Sequence, residues 1–219
     1  MTEQLPPTPL TGTLDASRPS EGPARSGYLR TIVIGLAVAY TGIDWLVAAA
    51  ATRAHREATA SGAPVRVTAS DVLGTLSPLV LIVAYVATGI WLSRARRNAD
   101  LLAPDQQRWS KPWVWLSWIV PIISYYAPKQ VIDDVWRSTV GDSAGPRTRW
   151  WWGTWIAAMV VIGNASIIFV RGDPISGNEV IYRWIDAVAD TVALVFWISV
   201  VRTVSHAQDA LADTAVARP

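Results

Sequence analysis

Five apolar blocks stand out in a chain of 219 residues, and four of them hold 20 residues or more: Ile32–Ala51, Val72–Leu92, 150–170 and 181–204. At a rise of about 1.5 Å per residue, a helix of that length crosses a hydrocarbon core of about 30 Å. The pattern predicts an all-α fold, a polytopic membrane helix bundle over residues 28–205 with four transmembrane helices.

The fifth apolar block, Trp113–Ala127, is shorter and is interrupted by Pro121. A helix of this length covers only about 22 Å, which is less than the hydrocarbon core. The block therefore predicts a Trp-rich re-entrant or interfacial segment, inside an interfacial element at 94–149. After it, apolar Val131 and Val135 are interspersed with acidic residues. This predicts an amphipathic helix that either lies on the membrane surface or packs against the bundle.

Basic residues are distributed unevenly around the predicted spans. With four spans, the amino-terminal tail, the 94–149 element and the carboxyl-terminal tail share one side, which holds 14 Lys and Arg against 5 on the other side. A fifth span at Trp113–Ala127 would give nearly equal sides, with 10 and 9. Because cytoplasmic loops carry the excess of Lys and Arg, the sequence predicts four spans with both termini in the cytoplasm.

Two polar segments flank the predicted bundle. Residues 1–27 contain many Pro, Ser, Thr and Gly residues and few large apolar ones. Such a segment buries too little apolar surface to offset its loss of conformational entropy, which predicts a disordered cytoplasmic tail. Residues 206–219 predict a second polar tail.

Composition excludes several kinds of site. The chain has no cysteine, which excludes thiolate catalysis and cysteine metal sites. His55 and His206 lie outside the apolar blocks, so no metal site and no cofactor is predicted. The pI of about 9.1 comes mainly from arginines beside the apolar blocks, and membrane topology explains them without a nucleic-acid partner. The Arg-, Ala- and Val-rich composition is typical of a GC-rich bacterial genome, so we expect a location in the bacterial plasma membrane.

Three aspartates interrupt the apolar blocks, Asp44 in the first span and Asp186 and Asp190 in the last. Carboxyl groups are costly in lipid and usually face the bundle interior or a wet cavity. Asp186 and Asp190 share a helix face because they are four residues apart, and Arg183 is placed to pair with Asp186. With Asn164 they predict one polar layer in the outer half of the bilayer. The aspartates are therefore candidate catalytic residues, and Asn164 is a candidate substrate-binding residue.

Further candidate binding residues come from the aromatic and basic positions. The thirteen tryptophans predict either an interfacial belt or an aromatic-walled pocket for a flat or cationic substrate, for which Trp118 and Trp184 are candidates. Arg94, Arg97 and Asn98 follow the second span. They predict either a positive anchor for that span or a site for anionic headgroups or a diphosphate.

Between residues 91 and 152, Trp, Arg, Pro and Asp residues follow one another in a distinctive order: Trp91–Arg94, Arg97–Ala99, Trp113, Trp118–Ile122, Pro128, Val131, Asp134–Arg137 and Trp150–Trp152. In this order and spacing, the segment resembles a family of actinobacterial membrane proteins known only as domain of unknown function 4328. The resemblance implies a membrane location and a similar number of spans, and it supplies no chemistry.

Three functions fit these features. The first is a non-catalytic role as a scaffold or partner of another membrane component. The alternative is a membrane-embedded enzyme in which a protonated carboxyl group acts as an acid on an isoprenoid or lipid-like substrate, as in small integral-membrane terpene cyclases. The third is a small transporter subunit. The predicted partners are the lipid bilayer and, for an enzyme, a hydrophobic small molecule.

Overall fold

The computed structural model describes residues 25–62, 69–141, 146–169 and 177–216, and these residues are mostly helical. In chain order the elements are α1 (Gly27–Ser61), α2 (Ala69–Leu102), α3 (Trp113–Leu116), a short 3-10 helix (Ile123–Tyr125), α4 (Ala127–Val140), α5 (Pro146–Phe169) and α6 (Gly177–Val216). No strand occurs within these ranges, so the predicted all-α class is confirmed.

Three helices in the described part of the chain are long and apolar enough to cross a membrane: α1, the Val72–Leu102 part of α2, and the Asn178–Thr214 part of α6. Their outer faces carry large apolar side chains such as Leu79 and Val195, which are 59% and 61% exposed. Faces of this kind are suited to lipid rather than water, as expected of a membrane protein. The predicted fourth span, α5, has 24 residues and a length of about 36 Å.

The long helices pack in the order α2, α1, α6, α5, so that α1 contacts both α2 and α6, and α6 contacts both α1 and α5. Both ends of the described chain lie together, because the Ser26 backbone N–H donates to Asp209 Oδ1 at 3.0 Å. Helix α4 packs against α2, α5 and α6 at this same end, which we call the α4 end.

Helix α4 packs against the bundle rather than lying free on a surface. Its residues Val131–Trp136 are all buried, including both aspartates. Asp134, 1% exposed, accepts hydrogen bonds from the Arg108 backbone N–H at 3.0 Å and from Arg108 Nε at 2.9 Å, and it also pairs with Arg137. The loop before α4 therefore covers the face of α4 that carries Asp134.

The short apolar block does not form one continuous helix. Over the described residues Trp113–Ala127 it contains α3, the 3-10 helix and the start of α4, and a lipid-exposed span needs an unbroken helix. Trp115 anchors this segment on α2. Its ring lies so close to Gly89 that a Cβ there would be 2.3 Å from it, and Tyr85 Oη donates to the Trp115 carbonyl at 3.0 Å.

Residues 206–216 continue α6 instead of forming a separate polar tail. Gln208 is fully buried, Asp209 accepts from Ser26, and Asp213 pairs with Arg25. Polar side chains within 206–216, whose composition predicted a tail over 206–219, contact the other end of the described chain and helices α2 and α4. Residues 1–24 of the tail predicted at 1–27 lie outside the described residues.

Candidate functional site

Two reciprocal hydrogen bonds join α1 and α6 in the half of the bundle away from α4. Trp45 Nε1 donates to Thr191 Oγ1 at 2.9 Å, and Trp184 Nε1 donates to Thr52 Oγ1 at 2.9 Å. The two indole rings meet edge to face, with centroids 5.4 Å apart. Each helix thus supplies one donor and one acceptor, which satisfies both indole N–H groups in an apolar setting.

The same helix pair brings the three predicted aspartates together. The carboxyl groups of Asp44 on α1 and Asp190 on α6 lie close to each other. Asp186 lies near both of them, and Tyr40, one turn before Asp44, lies near all three. All four side chains are partly buried. We call Tyr40, Asp44, Asp186 and Asp190 the acidic cluster.

The closeness of the Asp44 and Asp190 carboxyl groups favours one bound proton over two negative charges. Asp44 Oδ2 is buried and has no hydrogen-bond partner in the part of the chain that the structure describes. Ionised carboxylates only accept hydrogen bonds, whereas a protonated carboxyl group also donates one. A hydrogen bond between the two aspartates would therefore need one of them to carry a proton. The arrangement is suited to holding one exchangeable proton between two apolar helices.

The nearest basic residue, Arg183, does not neutralise the cluster by direct contact. Sequence spacing placed it to pair with Asp186, but its Nη2 contacts Glu179 Oε1 at 3.5 Å, one turn earlier on α6. Among the described residues, no cation forms a salt bridge with Asp44, Asp186 or Asp190. No group of three ligand side chains in these ranges is arranged to hold a metal ion.

Of the predicted binding residues, Trp184 lies beside the acidic cluster. Asn164 lies in α5, and its side chain falls outside the described part of the structure. The ring contact between Trp151 and Trp197, at 4.8 Å, sets the register of the antiparallel α5–α6 pair. Continued along both helices at about 1.5 Å per residue, this register brings position 164 near the level of Asp186.

Trp118 lies elsewhere, in a group of six tryptophans at the α4 end. Neighbouring rings in this tryptophan cluster have centroids 4.8–6.4 Å apart. Its members are Trp91, Trp118, Trp151, Trp152, Trp155 and Trp197. Because α2, α5, α6 and the segment before α4 all contribute rings, and four of the six are buried, the cluster forms the core of this end.

Asn98 joins three helices inside the α4 end. Its Nδ2 donates to Gln208 Oε1 at 3.0 Å, while Gln208 Nε2 donates to the Ala95 carbonyl at 2.8 Å and to Thr139 Oγ1 at 3.2 Å. Asn98 is 1% exposed and Gln208 is 0% exposed. The amide pair therefore connects α2, α6 and α4.

The two arginines near Asn98 also lie far from the acidic cluster. Arg94 Nη1 donates to the Arg25 carbonyl at 2.9 Å, and its guanidinium lies 5.4 Å from the Tyr28 ring centroid; Arg97 is exposed. Gln208 is 18 residues beyond Asp190, or about 27 Å along α6. The structure thus gathers the aspartates and Trp184 in one place, and Arg94, Arg97, Asn98 and Trp118 in another.

Sequence reasoning missed four residues that shape the site. Tyr40 was overlooked because a phenol in an apolar block resembles ordinary core, although its spacing from Asp44 puts it on the same helix face. Trp45, Thr52 and Thr191 were missed because cross-helix hydrogen bonds between neutral residues depend on the relative register of α1 and α6. That register follows from tertiary packing and has no local sequence signal.

One family model matches most of the chain. The family model described as Domain of unknown function (DUF4328) matches residues 51–209, which include Asp186, Asp190 and the tryptophan cluster. Tyr40 and Asp44 precede the first matched residue. No curated protein and no solved structure matches the chain.

Proposed function

The chain belongs to the DUF4328 family, and from that premise we propose that it is an enzyme of the bacterial plasma membrane that protonates an isoprenoid or lipid-like substrate. The observation that supports this most directly is the contact between the Asp44 and Asp190 carboxyl groups. It lies within helices that are apolar enough to cross a membrane. Carboxyl groups are energetically costly in such a setting, and those that occur there commonly mark a site of binding or chemistry.

The proposed reaction is an isomerisation or cyclisation. The protonated member of the Asp44–Asp190 pair donates its proton to a carbon–carbon double bond or to an epoxide oxygen, which leaves a carbocation and a carboxylate. The cation rearranges and then loses a proton to the carboxylate, so the product has the mass of the substrate and the acid is restored. The Trp45 and Trp184 rings beside the cluster are suited to stabilising the cation by cation–π contact.

We propose four spans, α1, α2, α5 and α6, with both termini in the cytoplasm. Two observations support this topology. Both ends of the described chain lie at the α4 end, as an even number of spans requires, and the predicted cytoplasmic side carries 14 of the 19 Lys and Arg. Asp44 is nine residues, or about 13.5 Å, along α1 from Arg53, which is the first charged residue after the apolar block Ile32–Ala51. The acidic cluster therefore lies in the outer half of the bilayer in this topology.

The first experiment tests for the proton. Dicyclohexylcarbodiimide reacts with protonated carboxyl groups in apolar surroundings. We expect peptide mass spectrometry of the purified protein in lipid nanodiscs at neutral pH to find the adduct on Asp44 or Asp190. Asp105 is exposed and serves as the internal control, which should stay unmodified. Equal modification of all three residues, or none at Asp44 and Asp190, contradicts the proposal.

The second experiment tests the chemistry with a double variant, Asp44→Asn with Asp190→Asn. Two amides can still hydrogen-bond across the helices, but neither is an acid. Cells expressing the native chain should accumulate an apolar lipid isomer of unchanged mass, detected as a shifted retention time. The double variant should lower its amount about 100-fold or more, as expected for loss of a general acid. Asp105→Asn is the matched control, because it removes an exposed carboxyl group and should leave the isomer unchanged.

A non-catalytic scaffold is the second candidate. It is favoured by the reciprocal Trp45–Thr191 and Trp184–Thr52 hydrogen bonds, which hold α1 to α6 whatever the aspartates do. In a scaffold, the Asn–Asn pair replaces the Asp–Asp pair with little loss, and both the lipid profile and the cellular phenotype should match those of the native chain. The double variant therefore separates the two functions.

A further inference from the structure

Three exposed arginines on two helices give the α4 end a positively charged patch. Arg147 and Arg149 lie at the start of α5, whose first turn contains no acidic residue. Arg147 Nη1 lies 3.4 Å from Thr203 Oγ1 on α6, and Thr203 directly follows Arg202 in the chain. All three arginine side chains are exposed. None of them forms a salt bridge with an acid among the residues that the structure describes.

The patch lies beside an exposed tryptophan. Trp150 is 56% exposed, whereas its neighbours Trp151 and Trp152 are 4% and 7% exposed and belong to the tryptophan cluster. An indole ring that is not needed for packing is well placed at the boundary between lipid tails and headgroups, where its apolar ring and its N–H group are both accommodated. Trp150 thus marks the depth at which a lipid headgroup would meet the arginine patch.

The surroundings of the patch indicate the charge and the chemical class of its ligand. The positive end of the α5 dipole adds to the charge of Arg147 and Arg149, so the patch is electrostatically unfavourable without an anion. Guanidinium groups form paired, charge-assisted hydrogen bonds with phosphate oxygens. Exposed apolar side chains such as Val192 and Val195 lie near the middle of α6, the helix that carries Arg202. They form part of the surface suited to lipid. A ligand with a phosphate group and an apolar tail matches both parts.

We propose that Arg147 and Arg202 bind the phosphate group of an anionic phospholipid between the start of α5 and the part of α6 that carries Arg202, with Arg149 adding positive charge nearby and Trp150 at the headgroup level. This site is separate from the acidic cluster, because Arg202 is 12 residues, or about 18 Å, from Asp190 along α6. It adds a lipid-binding function that holds whether the acidic cluster is catalytic or structural.

The test is lipid binding by the purified full-length chain, measured by native mass spectrometry from detergent. Phosphatidylglycerol, phosphatidylcholine and inorganic phosphate are titrated separately. We expect phosphatidylglycerol to bind more tightly than phosphatidylcholine. The double variant Arg147→Gln with Arg202→Gln should weaken phosphatidylglycerol binding by roughly fivefold for each charge removed. Replacing the same two residues with Lys should restore part of the affinity, because the charges return without the paired geometry.

The matched control is Arg53→Gln with Arg56→Gln, which removes two exposed arginines at the opposite end of α1 and should leave phosphatidylglycerol binding unchanged. Equal affinity for the two lipids, or equal losses in the two Gln variants, overturns the proposal. Inorganic phosphate binding as strong as that of phosphatidylglycerol also overturns it, because the site would then recognise a soluble anion.

Discussion

At the scale of single residues, buried polar groups act as connectors between helices. Asn98 had two candidate roles from sequence, as part of a span anchor or of an anion site. In the structure its amide donates to Gln208, which in turn donates to the Ala95 carbonyl and to Thr139. A buried amide without its partner loses its hydrogen bonds without regaining those to water, so this pair is expected to be sensitive to substitution.

We predict that Asn98→Ala lowers the free energy of unfolding by about 1–3 kcal/mol, because it leaves the Gln208 oxygen buried without a donor. Thermal unfolding in detergent measures the effect. Gln106→Ala is the control, since that side chain is exposed and its loss should change little. Asn98→Ala combined with Gln208→Ala should cost less than the sum of the two single changes, since one interaction is being removed twice. Additive losses contradict the pairing.

The sequence identified the acids of the candidate site more readily than their neighbours. Asp186 and Asp190 share a helix face by their spacing alone, and their approach to Asp44 follows from antiparallel spans with polar groups at similar depth. Gln208 could not be found this way, because it lies in a polar stretch whose composition resembles a tail. Its partners come from α2 and α4, far away in sequence.

At the scale of elements, apolar length predicted where the long helices lie but not where they end. Each predicted span falls inside a longer helix or, at residue 170, extends one residue beyond the helix end. Helix α6 continues to Val216, because its polar final turns contact α1, α2 and α4. Hydrophobicity reports the lipid-facing part of a helix, whereas the end of the helix depends on local capping and tertiary contacts.

The docking of α3 on α2 gives a prediction for this scale. Gly89→Ala would place a Cβ 2.3 Å from the Trp115 ring, which must move away and strain the hydrogen bond from Tyr85 to the Trp115 carbonyl. We expect a loss of about 1–3 kcal/mol in the free energy of unfolding, as for other overpacked sites, measured by thermal unfolding. Gly35→Ala is the matched control. Nothing lies within 4 Å of a Cβ there, so this change should be neutral or stabilising by up to about 1 kcal/mol. A Gly89 variant as stable as the Gly35 variant contradicts the close approach.

At the scale of the whole molecule, the two ends of the bundle differ in chemistry. The α4 end holds the tryptophan cluster, the Asn98–Gln208 pair and the joined chain ends, whereas the acidic cluster lies between α1 and α6 farther away. Charge counting predicted an even number of spans. It could not predict the order α2, α1, α6, α5, because several arrangements of four apolar helices bury similar surfaces.

The absence of native cysteine makes the predicted topology directly testable with single-cysteine variants. A membrane-impermeant maleimide applied to intact cells should label Thr59→Cys and Ser176→Cys. Ser110→Cys and Ala210→Cys should react only after the membrane is permeabilised. The contrast follows from four spans with cytoplasmic termini. Labelling of Ser110→Cys in intact cells contradicts that topology, and the cysteine-free native chain is the control for background labelling.

The uneven placement of tryptophan has a consequence for spectroscopy. Eleven of the thirteen tryptophans lie outside the Trp45–Trp184 pair, and six of them form rings in mutual contact at the α4 end. Excitation migrates readily among indoles at such separations, so the emission of the native chain reports mainly the packing of the α4 end. A ligand at the acidic cluster would change only a small share of that signal. The difference between the emission of the native chain and that of a Trp45→Phe, Trp184→Phe double variant would isolate the share that reports on the surroundings of the aspartates.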